Sequence, residues 1–498
     1  MKKKSIVAKM IVFPLLVLIM LWGAGRFLVP KWTDTVGPAT PIVQGFYAEP
    51  DHSLDVLFLG SCNIFNDVDP LVLYENYGFT SYNFTSPDQE LWTSYYYLKE
   101  ALKTQTPEVV VLDSLMLSPH FNANESYIRQ SLDYLPFSLT KLRLASVSLQ
   151  DWDDYAFMST LLPIFRYHDR WKDLNAADFQ HFSQDPYNPY KGASPVYTEI
   201  EFTGDLDYMA YTDETEPLKD KAVDYLGRIK ALCDEEGIEL HLIKTPTALS
   251  WNYARSSAVK AVADELDIPY TDYNFHIEQM GVDWTKDALT HGGARLNAQG
   301  MEKFSLYLGA DLVRLYPLPA QPADAAVAAA WDESLSHRRR DIGLFRLSQE
   351  EDFLTYLKTL GAQEDCLVVI TAYDDATEGL TAEHLDALKA LGLAADLEDK
   401  FTWSYVAVIE DGHVRFEQAA PEEITYEGVT ENGVAVSAVS AGSVVRDDTH
   451  DTHVSIELDR VEYALSHRGL NIAVYDLRAG QLVDSVSFDT YGTAAAVR

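Results

Sequence analysis

The feature that most constrains the fold is an alternation of short apolar runs with amphipathic stretches in the N-terminal part of the chain. Apolar runs typical of buried strands occupy residues 56–59, 108–113 and 238–246. Stretches with helical spacing lie between them at residues 90–104 and 218–237. Parallel strands need crossover connections of this kind, so the pattern predicts an α/β domain with a doubly wound, mostly parallel sheet.

Changes in composition divide the chain into predicted segments. They are a membrane anchor or signal segment at 1–30, a linker at 31–50, the α/β domain at 51–316, a second linker at 317–340 and a C-terminal domain at 341–498. Within the α/β domain, residues 120–215 are rich in Tyr, Trp and Asp without a clear period, which predicts an insertion that covers the sheet. Mixed strand and helix patterns after residue 341 predict a β-rich α+β sandwich.

The N-terminus has the pattern of a membrane segment. Lys2, Lys3 and Lys4 precede an apolar run from Met10 to Val29. A bilayer span needs roughly 20 such residues, so we expect a transmembrane helix with the rest of the chain outside the cytoplasm. A cleaved signal peptide is the alternative.

Charge and cysteine content limit the classes of partner. The chain has 39 basic and 76 acidic residues, for a net charge of −37. This balance argues against nucleic acid as a partner, because phosphate binding needs clustered Lys and Arg. Its three cysteines, Cys62, Cys233 and Cys366, are far apart and form no CxxC pair. We therefore predict neither a zinc site nor a disulfide framework, and no metal or cofactor.

The first predicted strand runs directly into Gly60, Ser61 and Cys62. In α/β sheets, ligands bind outside the carboxyl ends of the strands. A thiol at this position could act as a nucleophile if it ionises, and it would need a base or a cation nearby. Cys62 is therefore the first candidate for a functional residue.

The same stretch resembles the first block of the SGNH/GDSL hydrolases, in which a strand is followed by a glycine, a small or acidic residue and the nucleophilic serine. The resemblance implies an SGNH or flavodoxin-like fold and puts Cys62 in the nucleophile position. Residues 82–89, "YNFTSPDQ", resemble the family's second block. That likeness implies Asn83, or backbone N–H groups such as that of Ser61, as donors to an oxyanion.

Residues 284–300, "WTKDALTHGGARLNAQG", resemble the last block of the same family. Leu296, Asn297 and Gly300 carry the match. Arg295 stands where the family has its catalytic histidine, and the aspartate expected three residues earlier is absent. The chain thus departs from the family at each catalytic position.

Two interpretations of this departure remain open. In the first, Cys62, His291 and Asp287 form a rearranged triad, and the charge of Arg295 lowers the pKa of the thiol. In the second, the hydrolase site has decayed, Cys62 is a packed residue, and Arg295 binds an anion or an acidic neighbour. Arg295 cannot itself be a base, because its guanidinium stays protonated.

The C-terminal domain resembles the interleukin-like EMT inducer (PANDER-like) domain. The likeness rests on residues 368–393, 403–412 and 468–490. It implies a compact β-rich sandwich and, in some members, carbohydrate recognition. Sugar binding needs exposed aromatic side chains beside polar groups, and Trp403, Tyr405 and Tyr491 are candidates, with core packing as the alternative for each.

These segments together predict a membrane-anchored protein outside the cytoplasm that acts on a cell-surface polysaccharide or another glycan. The first hypothesis is an esterase or O-acyltransferase with Cys62 as the nucleophile. The alternative is a catalytically degenerate SGNH-fold protein that serves as a glycan-binding or scaffold protein. Fold analogy by itself does not decide between them.

Overall fold

The computed structural model describes residues 2–31, 38–150, 152, 154–175, 178–179, 181–183, 185–289, 295–394, 396–442 and 452–498. Within the chain, contacts define two compact units, Met1–Ser336 and His337–Arg498. Part of the predicted linker at 317–340 is helical, since a helix runs from Ala325 to Gln349. Its first turns are rich in alanine, the residue with the highest helix propensity.

The first unit contains five strands of one sheet and a short hairpin. The sheet strands are β1 (Val56–Leu59), β2 (Ser81–Asn83), β3 (Val109–Asp113), β4 (Glu239–Lys244) and β5 (Tyr270–Asp272), and the hairpin strands are β6 (Ala288–Leu289) and β7 (Arg295–Leu296). The sheet order is β2-β1-β3-β4-β5 and every pair is parallel. This order is found in doubly wound sheets, so the predicted parallel sheet is confirmed.

Helices precede, connect and follow these strands. They are α1 (Lys2–Leu28), α2 (Ala39–Phe46), α3 (Cys62–Asp67), α4 (Pro70–Tyr77), α5 (Leu91–Ala101), α6 (Glu125–Asp133), α7 (Leu139–Ser148), α8 (Asp154–Leu161), α9 (Ile164–Tyr167), α10 (Asp220–Glu236), α11 (Tyr253–Glu265), α12 (Ile277–Met280), α13 (Ala298–Leu315) and α14 (Ala325–Gln349). Short 3-10 turns cover Leu115–Leu117, His168–Lys172, His181–Ser183 and Tyr273–His276. The helix predicted at 218–237 is α10, which ends at Gly237 in a left-handed conformation.

The sheet is buried on both faces. Leu57 and Leu112 belong to a core shared with α5, α10 and α11, whereas Phe58 and Val111 belong to a second core shared with α4 and α13. Side chains alternate between the two faces of a strand, so each short apolar run supplies both cores. This burial explains why β1 and β3 are continuously apolar in sequence.

The N-terminal segment forms α1, and most of the described apolar side chains between Met10 and Trp22 are exposed. Among the described residues, no helix combines the length and the apolar character needed to cross a membrane. The predicted transmembrane helix is therefore not found. Leu28 and Val29 at the end of the apolar run are buried, and Arg26 donates a hydrogen bond to the carbonyl of Asp133, so this end packs against the first unit.

The second unit is β-rich. Its strands are β8 (Cys366–Tyr373), β9 (Ser404–Glu410), β10 (His413–Ala420), β11 (Ile424–Val429), β12 (Ala435–Ala441), β13 (His453–Leu458), β14 (Val461–Glu462), β15 (Gly469–Asp476), β16 (Gln481–Phe488) and β17 (Ala496–Val497), and its helices after α14 are α15 (Phe353–Leu360) and α16 (Ala382–Ala390). They form two antiparallel sheets, in the orders β10-β9-β8-β15-β16-β17 and β11-β12-β13-β14. Apolar side chains of both sheets form one core, and α15 and α16 cover the opposite face of the larger sheet.

Candidate functional site

The carboxyl ends of four neighbouring strands bring polar residues to one edge of the parallel sheet. Cys62 follows β1, and the other strands end in Asn83 of β2, Asp113 of β3 and Lys244 of β4. Neighbouring strands of a parallel sheet end at the same edge, and the strand order reverses between β1 and β3. The candidate site therefore lies where doubly wound sheets bind their ligands.

Gly60 sets the geometry of the turn from β1 into α3. Its φ is 154°, and a Cβ there would lie 2.7 Å from the Cβ of Asp113 and 2.8 Å from the Cγ1 of Ile64. Only glycine fits this close approach. The turn makes Ser61 the residue before the helix and Cys62 its first residue, and the Ser61 hydroxyl is buried without a hydrogen-bond partner in the described part of the chain.

Cys62 is partly buried and does not have the environment of an activated thiol. Burial raises its pKa above the ordinary value, and the charge of Arg295 opposes this while the carboxylates of Asp88, Asp67 and Asp113 add to it. The predicted influence of Arg295 is present, but the net shift of the thiol pKa is upward. The net pKa is raised because desolvation outweighs one nearby cation.

Arg295 binds α3. Its Nη1 donates a 2.9 Å hydrogen bond to the Oδ1 of Asn66, and the next residue, Leu296, donates its backbone N–H to the Oδ1 of Asp67, also at 2.9 Å. The segment that begins with Arg295 is therefore hydrogen-bonded to the last turn of α3. The positive charge of the guanidinium acts on the candidate nucleophile.

Asp67 is the functional candidate that the sequence did not reveal. It is fully buried, and burial raises its pKa to about 7 despite the hydrogen bonds from Leu296 and Thr245 and the charges of Lys244 and Arg295. The Thr245 hydroxyl donates to Asp67 Oδ2 at 2.7 Å. A carboxyl group with a pKa near neutrality can give up and take back a proton under physiological conditions.

A second buried pair extends this network. Lys244 Nζ lies 3.4 Å from Asp113 Oδ1 and 3.2 Å from the hydroxyl of Thr245. Both members of the pair are fully buried. The sequence carries a signal for this buried pair, because a charged residue ends each of the two strands. A charged side chain at the end of a buried strand is seldom fully buried unless it has a partner.

The structure gives Asn83 a different role from the predicted oxyanion donor. Its Nδ2 donates to the carbonyls of Val68 at 2.8 Å and Ile64 at 3.4 Å, and its backbone N–H donates to the carbonyl of Lys191. These contacts use both amide hydrogens. An oxyanion needs a free donor, so this side chain holds the end of α3 and is not available to a substrate.

One carboxylate oxygen of Asp287 has hydrogen-bond partners within the fold. It is fully buried, and its Oδ2 accepts hydrogen bonds from Lys303 Nζ at 2.5 Å and from the backbone N–H of Asp283 at 2.7 Å. Its predicted partner, His291, lies outside the described residues, as do its neighbours from 290 to 294. The proposed triad is therefore represented by two members only, Cys62 and Asp287.

Asn297 caps α13. Its Oδ1 accepts hydrogen bonds from the backbone N–H groups of Gln299 and Gly300, each at 3.1 Å, and its Nδ2 donates to the carbonyls of Thr198 and Lys286. The match of residues 296–300 to the hydrolase pattern thus coincides with a helix start. Asn is among the residues preferred as a helix cap, so its presence here has a structural reason whether or not the protein is an enzyme.

The aromatic candidates of the second unit differ in exposure. Tyr405 is 2% exposed, and its hydroxyl donates to Glu417 at 2.9 Å, so it is a core residue and is not available to a sugar. Tyr491 is 39% exposed, with the Arg468 guanidinium 4.4 Å from the centre of its ring. Trp403 is partly buried.

Comparison of the chain with models of protein families and with curated proteins gives no match. In the described ranges, no group of three or more His, Cys, Asp and Glu side chains is arranged to hold a metal ion. The hydrolase and PANDER-like resemblances stay predictions.

Proposed function

We propose that this protein is a non-catalytic glycan-binding or scaffold protein built on an SGNH-hydrolase-like α/β domain. The observation that carries the proposal is the position of Arg295. It stands where the hydrolases have their histidine base, and its guanidinium is bonded to Asn66 on the helix that begins with Cys62. A guanidinium cannot accept a proton from a nucleophile.

The surroundings of Cys62 support the same proposal. The thiol pKa is raised by burial, so the thiolate that would attack an acyl group is disfavoured. The amide group of Asn83, the predicted oxyanion donor, is engaged by Val68, and one carboxylate oxygen of Asp287, the predicted orienting acid, is engaged by Lys303.

The glycan is proposed as the ligand because of the PANDER-like resemblance of the second unit. A position outside the cytoplasm at a cell surface remains part of the proposal. The exposed apolar side chains between Met10 and Trp22, which follow several lysines, support association of this segment with a membrane. Membrane fractionation of cells that express the full chain, with and without residues 1–30, tests this location.

One observation favours a second function, ester hydrolysis or O-acyl transfer. Asp67, with its pKa near 7, acts electrostatically on Cys62 and could take the thiol proton. The sulfur would then attack the acyl carbon, the alcohol would leave with that proton, and water or a sugar hydroxyl would accept the acyl group from the thioester. This route replaces the histidine by a carboxylate.

Thiol labelling of the full-length chain separates the two functions. Iodoacetamide labelling of Cys62 is followed by peptide mass spectrometry across a pH series, and hydrolysis of an acetyl ester probe is measured in the same samples. We expect labelling only well above pH 8.5, roughly the pKa of a free thiol, and no turnover. Labelling near neutrality, together with turnover that is lost in Cys62→Ala and in Asp67→Asn, would establish the enzyme instead.

A further inference from the structure

A cleft lies at the outer edge of the parallel sheet, away from Cys62. It has a volume of about 560 Å³ and is bounded by α11, by the edge strand β5 and by α13. This volume is within the range of small-molecule binding sites. The hydrogen bonds of β5 go to β4 alone, since β5 is the last strand of the sheet. All the lining residues belong to the first unit.

Aromatic rings make up much of the lining. Phe275 is 47% exposed, and its ring centre lies 5.9 Å from that of Tyr253. On the α13 side, the rings of Tyr307 and His276 lie 5.7 Å apart, and the Tyr307 hydroxyl is 3.3 Å from His276 Nδ1. The cleft therefore presents flat aromatic surfaces together with hydrogen-bonding groups.

The cations of the cleft are neutralised within the protein. Lys260 pairs with Asp264 at 2.6 Å, and Arg314 pairs with Asp311 at 2.7 Å. The other carboxylate of the lining, Asp272, is turned inward, where it accepts a hydrogen bond from Trp251 at 2.7 Å. An ionic ligand would have to displace one of these partners, whereas a neutral polar ligand can bond to the pairs as they stand.

We propose that this cleft binds a short neutral oligosaccharide. Sugar rings carry C–H faces that pack on aromatic rings such as Phe275 and Tyr307, and their hydroxyls can bond to paired charges such as Lys260 and Arg314. The proposal rests on glycan binding as the protein's function but places a binding site on the first unit. It is separate from the strand-end site at Cys62 and from the aromatic candidates of the second unit.

Isothermal titration of the full chain tests the proposal. The probes are the neutral tetrasaccharides cellotetraose, maltotetraose and laminaritetraose, with tetragalacturonate as the anionic counterpart. We expect at least one neutral probe to bind and Phe275→Ala and Tyr307→Ala each to weaken its binding about tenfold, the loss expected from one stacking partner. The matched control is Phe137→Ala, because Phe137 is 69% exposed and lies outside the cleft.

The outcomes separate this proposal from the proposed function. If a neutral tetrasaccharide binds the two cleft variants as tightly as it binds the wild type, the cleft is not its binding site. Glycan binding as the function of the protein would then still be supported. Binding of the galacturonate alone, lost in Lys260→Gln or Arg314→Gln, overturns the neutral class of ligand. Failure of the wild-type chain to bind any of these probes or any member of a broad glycan array overturns both proposals. Phe275 is exposed, so its truncation is expected to leave the fold unchanged.

Discussion

Asp67 accepts a 2.9 Å hydrogen bond from the backbone N–H of Leu296, and this bond joins the end of α3 to the segment that leads into α13. The same carboxyl group accepts from Thr245 at the end of β4. One buried side chain therefore connects three parts of the candidate site that lie far apart in sequence. Its protonation state should affect both the stability of the fold and the position of Arg295.

The raised pKa of Asp67 predicts a pH-dependent stability. In the unfolded chain this carboxyl ionises near its ordinary pKa of 3.8, whereas in the folded chain it holds its proton up to about 7. Between these values the folded state binds more protons, so the free energy of unfolding falls as the pH rises through this window. The difference in pKa corresponds to about 4 kcal/mol at most.

Urea unfolding of the wild type and of Asp67→Asn from pH 4.5 to 8.5 measures this effect. The Asn variant does not titrate, so the free energy of unfolding of the wild type relative to the variant should decrease with rising pH and level off above about pH 8. A relative stability that stays flat over this range would contradict the raised pKa, because a pKa lowered by the hydrogen bonds from Leu296 and Thr245 would change the stability only at pH values near and below the ordinary 3.8.

Gly60 should be far less tolerant of substitution than a glycine at which an added Cβ would meet open space. We expect Gly60→Ala to lower the free energy of unfolding by roughly 2–4 kcal/mol, because the new Cβ would lie too close to Asp113 and Ile64 and the backbone is strained. The matched control is Gly237→Ala, at a φ of 71° with nothing within 4 Å of a Cβ, for which about 1 kcal/mol is expected. Equal losses in the two variants would show that the close packing under the strand tip is not as described.

Much of the first unit could be predicted from sequence because its signals are local. The apolar runs of β1, β3 and β4, and the helix that ends at Gly237, depend only on neighbouring residues and on the repeat of each element. The parallel direction of the strands follows from crossovers of sufficient length. Predicting these features does not require knowing which residues meet in the folded chain.

The roles of the polar residues could not be predicted in the same way. Asp67 and Thr245 are separated by 178 positions, and nothing in the sequence near either residue indicates that they meet. Asn83 was expected to face a substrate, but the carbonyls of Val68 and Ile64 compete for its amide once α3 is in place. The function of a buried polar group depends on the partners that the tertiary fold supplies.

The pair formed by Lys303 and Asp287 should contribute to stability. We expect Lys303→Met to lower the free energy of unfolding by about 1–3 kcal/mol, because it removes a charged donor from a fully buried carboxylate. Lys286→Met is the control, since Lys286 is exposed on the same turn and a change within about 0.5 kcal/mol is expected. If Lys303→Met is as neutral as the control, Asp287 is free to act on another partner, and the triad hypothesis gains support.

The largest single loss of stability is expected at Lys191. Its Nζ lies 2.8 Å from Glu49 Oε1, and both side chains are fully buried, so Lys191→Met would leave a buried carboxylate without its partner and cost about 3–5 kcal/mol. Adding Glu49→Gln should restore part of that loss, because no unpaired charge then remains. Lys230→Met is the control, since its pair with Asp234 at 2.6 Å is exposed and worth less than about 1 kcal/mol. Chemical unfolding of the wild type and of these three variants measures each loss, and a double variant less stable than Lys191→Met alone would contradict this account.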